Sequence, residues 1–143
     1  MANTIFKANT KWTGESLYCE GTSRDFKIAV DEPKALGGTD KAMNPVEMLL
    51  NALGGCITIC AAAFAKGCGV DLKGCSVDIE GDLDPAGFTG KDPNVRPGFQ
   101  EIRYKINLDT PSPQENIQKL LDLIELRCPV SDTLKGVKVK GIK

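Results

Sequence analysis

Hydrophobic and polar positions along the chain predict short strands grouped around two helices. Thr4–Ala8, Ser16–Glu20 and Asp25–Val30 carry β-branched and aromatic residues between Thr-Gly and Gly-Thr-Ser turn signals, which predicts three strands. Asp31–Met43, punctuated by Glu-Pro and Gly-Gly-Thr-Asp, reads as a loop. A helix follows, with Asn44 as N-cap, Pro45 at N1 and Glu47 at N3, where it can close a capping box. The apolar run predicts that this helix extends to about Lys66, with Gly67 just past its end. Cys75–Leu83 and Gln100–Leu108 alternate with a period of two and predict two more strands. Between them, two Asp-Pro pairs and a Pro-Gly mark Asp84–Gly98 as a loop.

A second helix is predicted from Ser112, with Pro113 at N1, Glu115 at N3 and an apolar stripe of Ile117, Leu120, Leu121 and Ile124. Arg127-Cys128-Pro129-Val130-Ser131 breaks it and starts a short helical turn, and Gly136–Ile142 reads as a terminal strand. The order βββ-α-ββ-α-β predicts an α+β fold, with residues 1–143 forming one domain. The first helix is apolar almost all round, more than one sheet can cover in a chain of 143 residues. The second helix and a partner subunit are needed, which predicts a homodimer with the long helix near the interface. Residues 48–65 carry no charge, but Asn51, Gly54, Gly55, Thr58 and three successive alanines fit a buried central helix better than a membrane span.

Lys plus Arg is 18 and Asp plus Glu is 19, giving a formal charge of −1 and arguing against nucleic acid or an anionic membrane as a partner. The N-terminal residues show no signal-peptide pattern, so a cytoplasmic location is expected. Histidine is absent, which removes Ser-His and Cys-His nucleophile pairs and Cys/His zinc fingers. Distinctive chemistry is left to six cysteines: Cys19, Cys56, Cys60, Cys68, Cys75 and Cys128. In a reducing cytosol they are expected as thiols rather than structural disulfides.

Cys56 lies midway along the apolar helix, either as a small core residue or as a working thiolate. The second role requires a cation brought in by tertiary structure, for which Arg24, Lys41, Arg96, Arg103 and Arg127 are candidates. Cys128 precedes Pro129 as an N-cap precedes N1, and Arg127 adjoins it; both features favour its thiolate. Cys60 is one helical turn beyond Cys56, so that Cys-x3-Cys is a metal half-site or a redox pair. No Cys-x2-Cys occurs, and a four-thiolate zinc site is not expected. Glu47 is either a charge partner for a catalytic cation or, as its N3 position favours, a capping residue. Trp12 and Phe99 are pocket or packing residues.

Asn44-Pro45-Val46-Glu47-Met48-Leu49-Leu50, continuing to Ala52-Leu53-Gly54-Gly55-Cys56, is followed some way on by Arg127-Cys128-Pro129-Val130-Ser131-Asp132-Thr133-Leu134. Together with Pro97-Gly98-Phe99-Gln100-Glu101-Ile102, these motifs resemble the OsmC/Ohr family of osmotically inducible and organic hydroperoxide resistance proteins. The resemblance implies an intertwined α+β homodimer, with long central helices and antiparallel sheets outside. It also implies reduction of small hydroperoxides, with Cys56 as the peroxidatic thiol, Cys128 as the resolving thiol and an external dithiol as reductant. No metal or organic cofactor is implied. Peroxidase members place Glu directly after Asn-Pro and an Arg in the N-terminal strand region. Here Val46 holds the first position, and Trp12-Thr13-Gly14-Glu15 offers no Arg, with Lys11 the nearest cation and Arg24 later. The chain thus resembles the general OsmC-like branch. A non-catalytic binding protein with an apolar pocket at the dimer interface is the alternative.

Overall fold

The structure is a computed structural model; Met1, Lys138, Ile142 and Lys143 lie outside the described residues. The chain forms two compact units, Met1–Leu49 and Leu50–Lys143, joined covalently through the long helix.

In the first unit, β1 (Asn9–Trp12), β2 (Cys19–Ser23) and β3 (Phe26–Val30) form an antiparallel meander. Its register pairs Trp12 with Cys19 and Cys19 with Val30. The first strand thus lies later than the Thr4–Ala8 segment predicted for it. Asn9–Trp12 is exposed throughout, so no burial pattern marks it, and pairing with β2 defines it instead. The second strand is displaced too, because Ser16 turns the chain at φ +47 before β2 begins.

After β3, the loop closes around one buried carboxylate. Asp31 is 1% exposed and accepts from the backbone N–H groups of Glu32 (2.8 Å), Thr39 (3.2 Å) and Lys41 (3.1 Å). It also accepts from the Thr39 hydroxyl. That hydroxyl, with the N–H groups, holds the Asp31 carboxyl well below the usual carboxylate range, outweighing the opposing effect of burial. Gly38 is required here, because a Cβ on it would collide with the backbone carbonyl of Glu32.

Helix α1 (Pro45–Phe64) opens as predicted. Asn44 Oδ1 accepts from the Glu47 N–H, and Glu47 Oε2 accepts from the Asn44 N–H, each at 2.9 Å, a reciprocal capping box. It ends earlier than predicted, at Phe64. A 3-10 turn (Lys66–Cys68) follows, and the left-handed residue is Gly69 (φ +70), not Gly67.

Leu53, Ile57, Cys60 and Ala61 of α1 are buried, a one-sided stripe at helical spacing. In the second unit they join Leu120, Ile124 and Cys128 in a single core. Two strands cover it, β4 (Gly74–Asp82) and β5 (Glu101–Asp109), antiparallel with Val77 opposite Ile106 and Ile79 opposite Tyr104. Gly54 admits the sheet, since a Cβ there would lie 3.1 Å from Ile79 Cδ1.

Between the strands, α2 (Pro85–Thr89) forms where a loop was predicted, because Asp84 caps it by accepting from the Ala86 N–H at 2.9 Å. Helix α3 (Gln114–Arg127) starts two residues beyond Ser112, which accepts from the Asp71 N–H at 2.8 Å instead of closing a capping box. Helix α4 (Pro129–Leu134) follows at once. Gly136, Val137 and 139–141 stand in no strand; Lys138 and Ile142 of the predicted terminal strand lie outside the described residues.

Candidate functional site

Cys128 occupies the junction between two helices. Its N–H donates to the Ile124 carbonyl at 3.0 Å, closing α3, and its carbonyl accepts from the Asp132 N–H at 3.0 Å, opening α4. The proline that follows fits N1 of α4, and the sulfur takes the N-cap acceptor role toward the Ser131 N–H at 3.5 Å. The backbone of Cys128 is thus fixed at both ends.

This junction brings Cys128 to the middle of α1. The Cys128 thiol donates to the Cys56 sulfur at an Sγ–Sγ distance of 3.1 Å. Both are free thiols. A bond between them needs an approach of about 1 Å, from 3.1 Å to the ~2.05 Å of a disulfide. Cys60 completes the group: the sulfurs of Cys56, Cys60 and Cys128 all lie within 4.8 Å of one another. Cys56 is half-buried, whereas Cys60 and Cys128 are buried, so solvent reaches the cluster from the Cys56 side.

Electrostatics correct one expectation. The N-cap position and Arg127 were expected to favour the Cys128 thiolate. Burial instead pushes the Cys128 thiol up; the Ser131 N–H opposes this, while the hydrogen bond to Cys56 adds to the rise. Arg127 is exposed, and desolvation at a residue 2% exposed outweighs the start of a six-residue helix. Burial is also the main cause of the upward shifts at Cys60 and Cys75. Burial thus favours the protonated form of both Cys128 and Cys60.

The remaining candidates have other engagements. In the first unit, the Arg24 guanidinium lies 4.8 Å from the centre of the Phe26 ring. Lys41 pairs with Glu15 at 3.0 Å, and Glu47 serves the capping box. In the second unit, Arg103 is held by Glu80, Asp82 and Glu101, which raise its pKa above its ordinary value. Trp12 Nε1 donates to the Ser16 carbonyl at 3.0 Å, and Phe99 packs over Gly81.

Tyr104 is the residue the sequence did not single out. It is 40% exposed, and partial burial, with the nearby Glu125 carboxylate adding to it, pushes its phenol pKa up. Its place in the alternation Ile102, Tyr104, Ile106 was the available signal.

Comparison with known proteins gives a consistent result. The chain matches the family model described as OsmC-like protein over residues 38–141. Its fold is similar to an OsmC-like protein from Mycoplasma pneumoniae, with a TM-score of 0.79 and 22% identity, covering 95% of this chain and 91% of that one. It is similar to an organic hydroperoxide resistance protein OsmC from Legionella pneumophila, with a TM-score of 0.66 and 18% identity over 95% and 93%. An organic hydroperoxide resistance protein from Elizabethkingia anophelis gives a TM-score of 0.66 and 16% identity over 94% and 91%. No curated protein sequence matches significantly. With an α+β fold of this kind and a family match across most of its length, the chain belongs to the OsmC-like protein family.

Proposed function

We propose that this chain reduces organic or inorganic hydroperoxides through Cys56 and Cys128. The observation that supports the reading most is the 3.1 Å separation of their sulfurs. Half-buried Cys56 is the sulfur that meets substrate, and buried Cys128 is the one that follows. The Cys56 thiolate attacks the O–O bond of ROOH; the sulfur is oxidised to a sulfenic acid and ROH leaves. The Cys128 sulfur attacks the sulfenic sulfur, water leaves, and the Cys56–Cys128 disulfide forms. An external dithiol reduces it by exchange and is itself oxidised to a disulfide.

The same reading includes a cytoplasmic homodimer. Only one face of α1 is covered within the chain, while Ile59 (69% exposed), Ala62 and Ala63 remain uncovered. A second copy of α1 supplies the matching surface.

The test is peptide mapping by mass spectrometry after one equivalent of cumene hydroperoxide. A Cys56–Cys128 disulfide is expected in the wild type and none in Cys56→Ser. Resolution of both peptides without the crosslink would sink the proposal. A second reading, a non-catalytic binding protein with an apolar pocket at the dimer interface, is favoured by Val46 at the position where peroxidase relatives carry Glu. Equal hydroperoxide loss in wild type and Cys56→Ser, with a dithiol present, selects it.

A further inference from the structure

Cys60 has no task in the hydroperoxide chemistry, yet its sulfur shares the cluster. Its spacing says what it suits. Residues four apart on a helix hold their Cβ atoms about 5–6 Å apart, whereas a disulfide needs roughly 3.5–4.5 Å. Cys56 and Cys60 are therefore poorly placed to crosslink without distorting α1. Two sulfurs on one helix face are well placed to grip a single ion from the same side, and Cys128, fixed at the head of α4, approaches as a third.

We propose that Cys56, Cys60 and Cys128 form a three-sulfur site for a soft monovalent metal ion of the copper(I) class. The donor set is sulfur only, in a chain without histidine, and thiolate sulfur selects soft ions. A structural zinc ion takes four ligands, and among the described residues the group contains three. On the side of Cys60 and Cys128 the surroundings disfavour a water as the fourth. Cys60 and Cys128 are 7% and 2% exposed, and Leu53, Ile57 and Ile124 share their core. The Ser131 N–H directed at Cys128 Sγ offsets part of the negative charge.

Binding changes no oxidation state. Three metal–sulfur bonds form, and each coordinating thiol gives its proton to solvent. The proposal does not rest on the hydroperoxide reading, since a chain inert to peroxide can still hold the ion. The two compete where both operate, because they use the same two sulfurs.

The experiment supplies copper(I) anaerobically to the reduced full-length protein, in competition with a chromogenic copper(I) chelator. One tightly held equivalent per chain is expected, with three sulfur scatterers around copper in X-ray absorption of the wild type. Cys60→Ser is expected to weaken retention by at least about tenfold, whereas Cys19→Ser and Cys75→Ser leave it intact. Two sulfur scatterers overturn the proposal, whether or not the variant folds. So does retention by Cys60→Ser equal to the wild type, or exclusive binding of zinc(II).

Discussion

Cys128 Sγ donates to Cys56 Sγ across 3.1 Å, although 72 positions of sequence separate the two residues. The half-buried member, Cys56, and the buried member, Cys128, should therefore fail differently when removed. Cys56→Ser is expected to abolish dithiol-dependent hydroperoxide consumption. Cys128→Ser should form the Cys56 sulfenic acid with one hydroperoxide and the sulfinic acid with a second, because no Cys128 thiol condenses with the sulfenic acid. A peroxide-consumption assay checks the first and intact-protein mass spectrometry after several equivalents of hydroperoxide the second, and a Cys128→Ser variant that turns over like the wild type contradicts the assignment.

The buried thiols make the reduced protein sensitive to alkali. Burial raises the folded-state pKa of Cys128, Cys60 and Cys75 above that of an exposed thiol, about 8.5. Above that value the unfolded chain loses protons that the folded chain still holds, so folding stability falls as pH rises through the folded-state range. Urea midpoints of the reduced protein should thus decline from about pH 8.5 upward. In Cys60→Ser the decline should be shallower; an identical slope would show that Cys60 carries none of it.

Asp31 has the opposite sign. Its pKa lies below the unfolded value, so the stabilisation is complete above the ordinary carboxylate range and is lost as pH falls below about 4. Asp31→Asn should lower the melting temperature at pH 7 and flatten the acid limb of the stability profile. A thermal scan at several pH values measures this, and an unchanged acid limb would place the sensitivity elsewhere.

Glu47 is bound into the cap of α1. Glu47→Gln keeps an oxygen for the Asn44 N–H and should leave hydroperoxide turnover within about twofold. Asn44→Ala should cost about 1 kcal/mol of stability. A tenfold loss of turnover in Glu47→Gln would make the residue part of the chemistry after all.

Ile124 is 1% exposed, and its carbonyl receives the Cys128 N–H. Ile124→Ala should destabilise the reduced protein by about 2–5 kcal/mol. Denaturant titration reads the loss, and a change below about 1 kcal/mol would mean that the core collapses to fill the space.

Local chemistry was legible where a residue acts on its immediate neighbours. The Asn44–Glu47 box and the Cys128–Pro129 turn follow from side chains satisfying N–H groups within a few residues. Strands β4 and β5 announce themselves because Val77, Ile79, Ile102 and Ile106 alternate toward a core. Strand β1 does not, because Asn9–Trp12 buries nothing and exists through its partner. Helix α2 was missed although Asp84, Pro85 and Gly90 mark its ends. At the site, the pairing of Cys56 with Cys128 came from resemblance, since spacing does not reveal a contact between distant segments. Cys60's alternatives stayed open, and the upward shift of Cys128 depends on burial that only the folded core supplies.

The sulfur that faces Cys56 is also the acceptor that starts α4. Whatever becomes attached to that atom must share it with the Ser131 amide, so chemical state and the anchoring of Pro129–Leu134 are mechanically linked. Amide exchange at Ser131 should therefore differ between the thiol and the modified sulfur.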